Sequence, residues 1–234
     1  MTAPKYLVIG ANGQIGIELT LALRNRYGHR QVIAADIRDQ HPLLDGPGAF
    51  LQLDVTSKEA LRNAIITHQV THICQLAATL SATAEKNPEL AWNLNMQGLL
   101  NILDVATECN IQQVFWPSSI AVHGPNDIPA MVYGISKKAG ELGCHYYHQR
   151  YGLDVRSLRY PGLISHTAPP GGGTTDYAVE IFPAALKQRF YNCFLREDSR
   201  LPMMYMPDAI RATLELMDAP LPASRSALRT ISAA

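Results

Sequence analysis

A tyrosine and a lysine four residues apart, with serines upstream, form a set that can move a proton. Tyr133 and Lys137 fall at the start of a predicted helix, on one face of it. Ser118 and Ser119 end the strand predicted before it. An ammonium group near a phenol favours the ionised phenol, and lowering a tyrosine pKa from about 10 to about 7 takes roughly 4 kcal/mol. We predict that Tyr133 takes the proton of an alcohol that Ser119 orients. A surface tyrosine stacked on a lysine stem would show the same spacing.

Glycines spaced three residues apart follow the first predicted strand, where a helix begins. They are Gly10, Gly13 and Gly16, in the segment GANGQIG. Small residues let the backbone approach a pyrophosphate, and the helix N-terminus offers it free N–H groups and a positive dipole end. The pattern indicates a dinucleotide site, although a tight turn between strand and helix would also account for it.

Carboxylates end the next two predicted strands. Asp36 stands 20 residues beyond Gly16, a spacing typical of the acid that accepts both ribose hydroxyls of a dinucleotide. Such an acid repels a 2′-phosphate and favours NAD over NADP, and the nearby Arg38 would soften that preference. Asp54 and Val55 would lie beside the adenine, but Asp54 would serve equally well as a helix-capping residue.

Short apolar runs alternate with helical patterns, and these elements must position the candidate residues. The alternation predicts an α/β fold, a doubly wound parallel sheet with helices on both faces. The predicted strands are residues 6–9, 32–35, 50–53, 72–76, 113–116, 155–159 and 228–232. The predicted helices are residues 14–26, 57–68, 88–107, 134–151, 175–187 and 207–217. We expect residues 1–160 to form the nucleotide-binding core and residues 161–234 a smaller substrate-binding lobe and lid.

The composition excludes several classes of protein. The chain has 234 residues, with 20 Lys+Arg against 20 Asp+Glu and 47% hydrophobic residues, and can bury one core. Balanced charge without a basic run argues against nucleic acid or a membrane surface as partner. The four cysteines form no C-x-x-C pair, and Cys144, His145 and His148 lack a further ligand, so we expect no metal site. Without a leader pattern or an apolar run of 18 residues, we expect a cytoplasmic protein.

The order and spacing of the motifs resemble the extended short-chain dehydrogenase/reductase superfamily. The matching positions are Gly10/Gly13/Gly16, Asp36, Asp54-Val55, Leu76-Ala77-Ala78, Ser119 and Tyr133-x-x-x-Lys137. A narrower resemblance is to short-chain-type L-threonine 3-dehydrogenases, relatives of UDP-galactose 4-epimerase. It lies in residues 76–88 (LAATLSATAEKNP), 151–165 (YGLDVRSLRYPGLIS), 171–178 (GGGTTDYA) and 200–205 (RLPMMY). It implies NAD-dependent, metal-independent oxidation of the 3-hydroxyl of L-threonine to 2-amino-3-oxobutanoate in a Rossmann fold.

The resemblance also implies a role for each matching residue. Tyr133 would be the general base, Ser119 its hydroxyl partner, and Lys137 the aid to Tyr133 and ligand of the nicotinamide ribose. The implied cofactor-binding residues are Gly10, Asn12, Gly13, Gln14, Ile15, Gly16, Asp36, Ile37, Arg38, Asp54, Val55, Leu76, Ala77, Ala78, Tyr133, Lys137, Tyr160 and Leu163. The implied substrate-binding residues are Ser81, Ser118, Ser119, Tyr133, Gly173 and Thr174.

The glycine run before Thr174 supports a site for the amino-acid end of the substrate. A hydroxyl and helix-start N–H groups after three glycines can receive a carboxylate, although Thr174 would also fit an ordinary helix N-cap. If the segment is a lid, residues 171–173 would be its hinge.

Two departures from the resemblance leave questions open. His123 stands where relatives commonly carry an aromatic residue, and it would either assist proton release or simply pack. The resemblance ends near residues 230–234, where relatives continue, so the chain is either naturally abbreviated or trimmed. The alternative functions are a nucleotide-sugar epimerase or reductase and a non-catalytic NAD(H) sensor, and a homodimer stays undecided.

Overall fold

The computed structural model describes residues 3–220 and 230–232, and its centre is a parallel sheet covered on both faces by helices. The strands are β1 (Tyr6–Ile9), β2 (Val32–Asp36), β3 (Phe50–Gln52), β4 (His72–Gln75), β5 (Gln113–Phe115), β6 (Ser118–Ser119), β7 (Val155–Tyr160), β8 (Gly162–Ile164), β9 (Met203–Tyr205) and β10 (Thr230–Ser232). The helices are α1 (Gln14–Tyr27), α2 (Lys58–His68), α3 (Ser81–Ala84), α4 (Pro88–Trp92), α5 (Gly98–Glu108), α6 (Val132–Tyr151), α7 (Tyr177–Gln188) and α8 (Met206–Asp218).

The main sheet has the strand order β10-β7-β5-β4-β1-β2-β3, with β6 beside β7. Every pair in it is parallel. The order reverses between β1 and β4, so the loops after these two strands diverge and leave a crevice at their carboxyl ends. This arrangement confirms the predicted doubly wound α/β fold.

Side chains that alternate along each strand build two apolar layers. Leu7 and Ile9 of β1 face α2, α5 and α6, whereas Tyr6 and Val8 face α1 and α8. All four are buried, as a central parallel strand requires. The two layers cover the sheet on both faces, and the loops at its carboxyl edge start from this packed core.

The predicted helix 88–107 contains a π-helical turn at Asn93–Gln97, between α4 and α5. The extra residue in this turn brings the Asn95 side chain to the loop after β4. Its Oδ1 accepts from the Thr79 amide at 2.8 Å, and its Nδ2 donates to the Thr79 carbonyl at 3.1 Å. This turn, α3, and the small strands β6, β8 and β9 are not predicted by the sequence patterns.

The last described elements return to the main sheet. α8 packs on α1, and β10 pairs with β7. The buried Arg156 of β7 donates to the carbonyls of Met217 at 2.8 Å and Ala219 at 2.5 Å, which caps the end of α8. Asp154 balances the guanidinium charge at 2.8 Å. Of the predicted strand 228–232, residues 228 and 229 lie outside the described residues.

Within the described ranges, no helix has the length and apolar character needed to cross a membrane.

Candidate active site

A cavity of about 800 Å³ opens at the carboxyl ends of β1, β2 and β4, in the crevice left by the strand order. Every residue assigned above to cofactor or substrate lines it. The structure therefore brings all the candidate residues together, from the glycine loop at one end to the Ser119, Tyr133 and Lys137 set at the other.

The glycine loop is packed too tightly for any side chain at two of its positions. Gly10 has φ +80°, and a Cβ there would lie 2.6 Å from the Ala77 amide nitrogen. A Cβ on Gly16 would lie 2.2 Å from the Gly10 carbonyl oxygen. α1 begins after Gly13 without a side-chain cap, so the amides of its first turn are not used by a capping side chain. Such a turn is a ready anion site.

At the end of β2, the Asp36 carboxylate organises the neighbouring loops. It accepts hydrogen bonds from the Asn12 amide at 3.0 Å and from the Arg38 guanidinium at 3.0 Å. Asn12 in turn joins the glycine loop to the segment after β2, since its Nδ2 donates to the Asp39 carbonyl and its Oδ1 accepts from the His41 amide. These contacts fix the geometry at one end of the cavity.

Asp54 forms a turn beside the cavity and is not the residue that caps α2, which corrects the helix-capping alternative. Its carboxylate accepts from the amide and the hydroxyl of Thr56, each at 2.8 Å, and so forms the turn that leads into α2. It also lines the cavity together with Val55. Ser57 caps α2, as predicted, through the Ala60 amide.

The Ser119, Tyr133 and Lys137 set lies where β6 and α6 meet. Ser119 Oγ accepts from the Ala121 amide at 3.1 Å, and the Ser119 hydroxyl also hydrogen-bonds the Tyr133 phenol. Lys137 is 3% exposed; its Nζ donates to the Pro117 carbonyl at 2.6 Å and lies 4.4 Å from the centre of the Trp116 ring. The same Nζ is 5.6 Å from the centre of the Tyr133 ring.

Burial reverses the predicted shift of the tyrosine. Desolvation raises the pKa of Tyr133 to about 12, an effect that the Ser119 hydroxyl partly offsets. Desolvation also lowers the pKa of Lys137 to about 7, against a weaker attraction from Glu141. Lys137 by itself therefore does not bring the Tyr133 pKa near 7, because both groups lose their water and each then disfavours its charged form.

Ser118 and His123 belong to a hydrogen-bonded network of side chains that also includes Glu141 and Arg159. The Ser118 hydroxyl donates to Glu141 at 2.6 Å, and Arg159 pairs with the same carboxylate at 2.7 Å. The Ser118 hydroxyl hydrogen is thus used by the protein, which weakens its assignment to the substrate. His123 lines the cavity, with one ring nitrogen against Asp127 and the other 3.1 Å from Arg159. Both ring nitrogens of His123 therefore have polar partners within the protein.

The glycine run at 171–173 is folded onto α3. The Thr174 amide donates to Ser81 Oγ at 3.2 Å, and the Ala82 amide donates to the Gly172 carbonyl at 3.1 Å. The amides of Gly172 and Gly173 both donate to Asp176 Oδ2, at 2.7 and 2.6 Å. The prediction that helix-start amides at Gly173 and Thr174 receive a substrate carboxylate is therefore corrected: the chain's own groups engage them.

Comparisons with known proteins decide the family. The model of the NAD dependent epimerase/dehydratase family matches residues 6–225. The chain belongs to this family. A solved partial consensus L-threonine 3-dehydrogenase is 52% identical with a TM-score of 0.92, over 97% of this chain and 77% of that one. The GalE-like L-threonine dehydrogenase of Cupriavidus necator, in its holo form, is 51% identical with a TM-score of 0.89, over the same shares. An uncharacterized epimerase/dehydratase of Staphylococcus saprophyticus is 45% identical, over 92% of this chain and 71% of its own length.

This epimerase/dehydratase family enzyme is an NAD-dependent oxidoreductase, and its cavity fits that cofactor. The backbone of Gly10 and Gly16 leaves no space for side chains, and the uncapped first turn of α1 faces the cavity through Gln14 and Ile15. Gln14 Nε2 is buried without a hydrogen-bond partner among the described residues, so a polar donor is available at the phosphate end. Within the same residues, no group of three His, Cys, Asp or Glu side chains is placed to hold a metal ion.

Sequence reasoning missed three polar residues that line or support this enzyme's site. Glu141 continues the four-residue spacing of Tyr133 and Lys137 along α6, and that spacing was a usable signal. Asn95 depends on a π-helical turn and Asp176 on the fold of the glycine run, and neither has a local signature.

Proposed function

We propose that the enzyme oxidises the 3-hydroxyl of L-threonine to 2-amino-3-oxobutanoate with NAD. The observation that carries the proposal is one cavity that holds Ser119, Tyr133 and Lys137 together with the folded glycine run and Asp176. The solved relatives at 51% and 52% identity, whose names give L-threonine dehydrogenase activity, support it.

The cavity residues divide the work of the reaction. The glycine loop, Asp36 and Lys137 would hold NAD, which would supply the hydride acceptor for the carbinol carbon. With substrate bound, Ser119 donates its hydroxyl hydrogen to the alcohol oxygen and orients it. Tyr133 receives the alcohol proton on its phenol oxygen. Lys137, held against the Pro117 carbonyl, supplies the positive charge that balances a tyrosinate once the pair has lost a proton.

Asp176 gives the substrate end of the cavity a negative group. Three carboxylates line the described cavity; Asp36 ends β2 and Asp54 follows β3, at the end proposed for the adenosine. Only Oδ2 of Asp176 is used by the Gly172 and Gly173 amides, so Oδ1 is open to a cation. We propose that Asp176 binds the α-ammonium group of threonine, while the exposed Thr174 hydroxyl contacts the carboxylate.

Asp176→Asn should remove the charge but keep an oxygen that accepts from the two glycine amides. Because a charge-assisted hydrogen bond is worth about 1.5–3 kcal/mol, we expect KM for L-threonine to rise by roughly 10- to 100-fold. The KM for 3-hydroxybutanoate, which has no amino group, should change by less than about threefold. Steady-state kinetics with both substrates measure the difference.

Glu180→Gln is the matched control, since Glu180 is an exposed carboxylate one turn further along. It should leave both KM values unchanged. An equal rise for the two substrates in Asp176→Asn would show that Asp176 only supports the loop and does not bind the ammonium group.

The proposed reaction is tested by absorbance at the NADH band, with purified protein, NAD and L-threonine. We expect NADH to form with L-threonine and not with a UDP-sugar or without substrate, and L-serine tests the substrate range. A UDP-sugar that is turned over while threonine is inert would replace the proposal with an epimerase or reductase.

A further inference from the structure

The chain itself occupies the whole acceptor capacity of Asp36. Oδ1 accepts from the amide of Arg38 at 3.1 Å and from its Nε at 3.0 Å. Oδ2 accepts from the Asn12 amide at 3.0 Å and from Arg38 Nη2 at 3.3 Å. A carboxylate offers about four lone-pair sites, so all of them are engaged. Ribose hydroxyls can bind this carboxylate only if some of these donors leave.

The four donors differ in how easily they can leave. The two amides belong to the backbone of the glycine loop and of the turn after β2, and Asn12 cross-links those segments. The guanidinium sits on a side chain that is 64% exposed, whereas the Asp36 side chain is 5% exposed. An ion pair with one partner exposed to solvent is weak, and breaking it lowers the affinity of a competing ligand by no more than about fivefold. The guanidinium is therefore the group that yields.

We propose that Arg38 competes with the cofactor's ribose for Asp36 and, once displaced, supplies the cation that accepts a 2′-phosphate. Two Lys or Arg side chains line the described cavity, and Lys137 is buried at the catalytic end. Arg38 is thus the cationic side chain that lies beside Asp36, the carboxylate expected to bind the ribose. Arg38 lowers the discrimination between NAD and NADP in two ways. It weakens the binding of NAD, whose ribose hydroxyls need Asp36, and it strengthens the binding of NADP, whose 2′-phosphate it contacts.

The test measures binding without any alcohol substrate, so it is independent of the reaction proposed above. Calorimetry on the parent protein and on Arg38→Met uses ADP-ribose and 2′-phospho-ADP-ribose as probes. We expect Arg38→Met to lower the Kd of ADP-ribose by roughly three- to fivefold, since its competitor is gone. The Kd of the 2′-phosphorylated probe should rise by roughly tenfold, since the phosphate loses its cation.

Two further variants separate this proposal from a general effect of charge or folding. Arg30→Met removes another exposed arginine, just before β2 and away from the cavity, and should leave both Kd values unchanged. Arg38→Lys keeps the charge but not the planar fork, so it should tighten ADP-ribose and retain the phosphorylated probe.

Several results would overturn the proposal. Weaker binding of both probes by Arg38→Met would make Arg38 a direct ligand of the adenosine shared by them. Unchanged binding of both would show that the pair with Asp36 has no role in recognition. Tighter binding of both would leave the competition standing and refute the phosphate contact.

Discussion

Tyr133→Phe is expected to lower kcat for L-threonine by about a thousandfold or more while the Kd of NAD stays within about twofold. The change removes one oxygen atom from a side chain that lines the catalytic end of the cavity. Without it, the alcohol proton has no acceptor next to Ser119, and general-base catalysis contributes about 10²- to 10⁴-fold. The ring itself remains beside Lys137. Steady-state rates and calorimetry with NAD measure the two effects separately.

The control for this variant is Tyr146→Phe, on the same helix. Tyr146 is 55% exposed, so the loss of its hydroxyl should change neither kcat nor NAD binding. If Tyr133→Phe kept more than about a tenth of the parental kcat, another group would have to take the proton. His123, which also lines the cavity, would then be the residue to replace next.

The fold could be predicted from the sequence because its signals are local and repeated. Buried strands such as β1 and β2 are continuous apolar runs, and each is followed by a helix with its own start signal. That alternation leaves few topologies. The small strands β8 and β9 pair with each other across more than 35 residues, and no short-range pattern marks such a pairing.

The site could be predicted as a set of residues but not as a set of charges. The positions of Asp36, Ser119 and Tyr133 relative to the predicted strands were enough to predict that they share one cavity, because the carboxyl ends of parallel strands meet at one edge of the sheet. The protonation states of Tyr133 and Lys137 depend on how much water the surrounding loops exclude, and this is set by the tertiary structure. Similarly, the three glycines predict free amides, and only the folded loop shows that Asp176 fills them.

The rate of the enzyme is expected to follow the first proton lost by the Tyr133 and Lys137 pair. Burial lowers the pKa of Lys137 to about 7 and raises that of Tyr133 to about 12. Below pH 7 the pair carries both protons and cannot accept another. Above pH 7 it has lost one, and transfer of the remaining proton from phenol to amine gives tyrosinate beside ammonium. We expect kcat/KM to rise about tenfold per pH unit below pH 7 and to level above it.

Lys137→Met should move that rise by several pH units towards alkaline conditions. Tyr133 would then titrate alone, from a pKa that burial has raised, so activity should be very low at pH 7.5 and still increase through pH 10. The measurement is kcat/KM from pH 5.5 to 10 for both proteins. A rise that stays near pH 7 in the variant would assign it to a group other than the pair.

A stability measurement separates this effect from misfolding. The lowered pKa of Lys137 means that the folded protein bears the cost of a buried charge below pH 7, and that this cost fades as the pH rises towards the lysine's ordinary value of about 10.5. Lys137→Met should therefore be at least as stable as the parent in thermal unfolding below pH 7, with a difference that shrinks between pH 7 and 10. A variant that is inactive yet no less stable would place Lys137 in the chemistry; one that unfolds at a lower temperature across the whole range would place it in the fold.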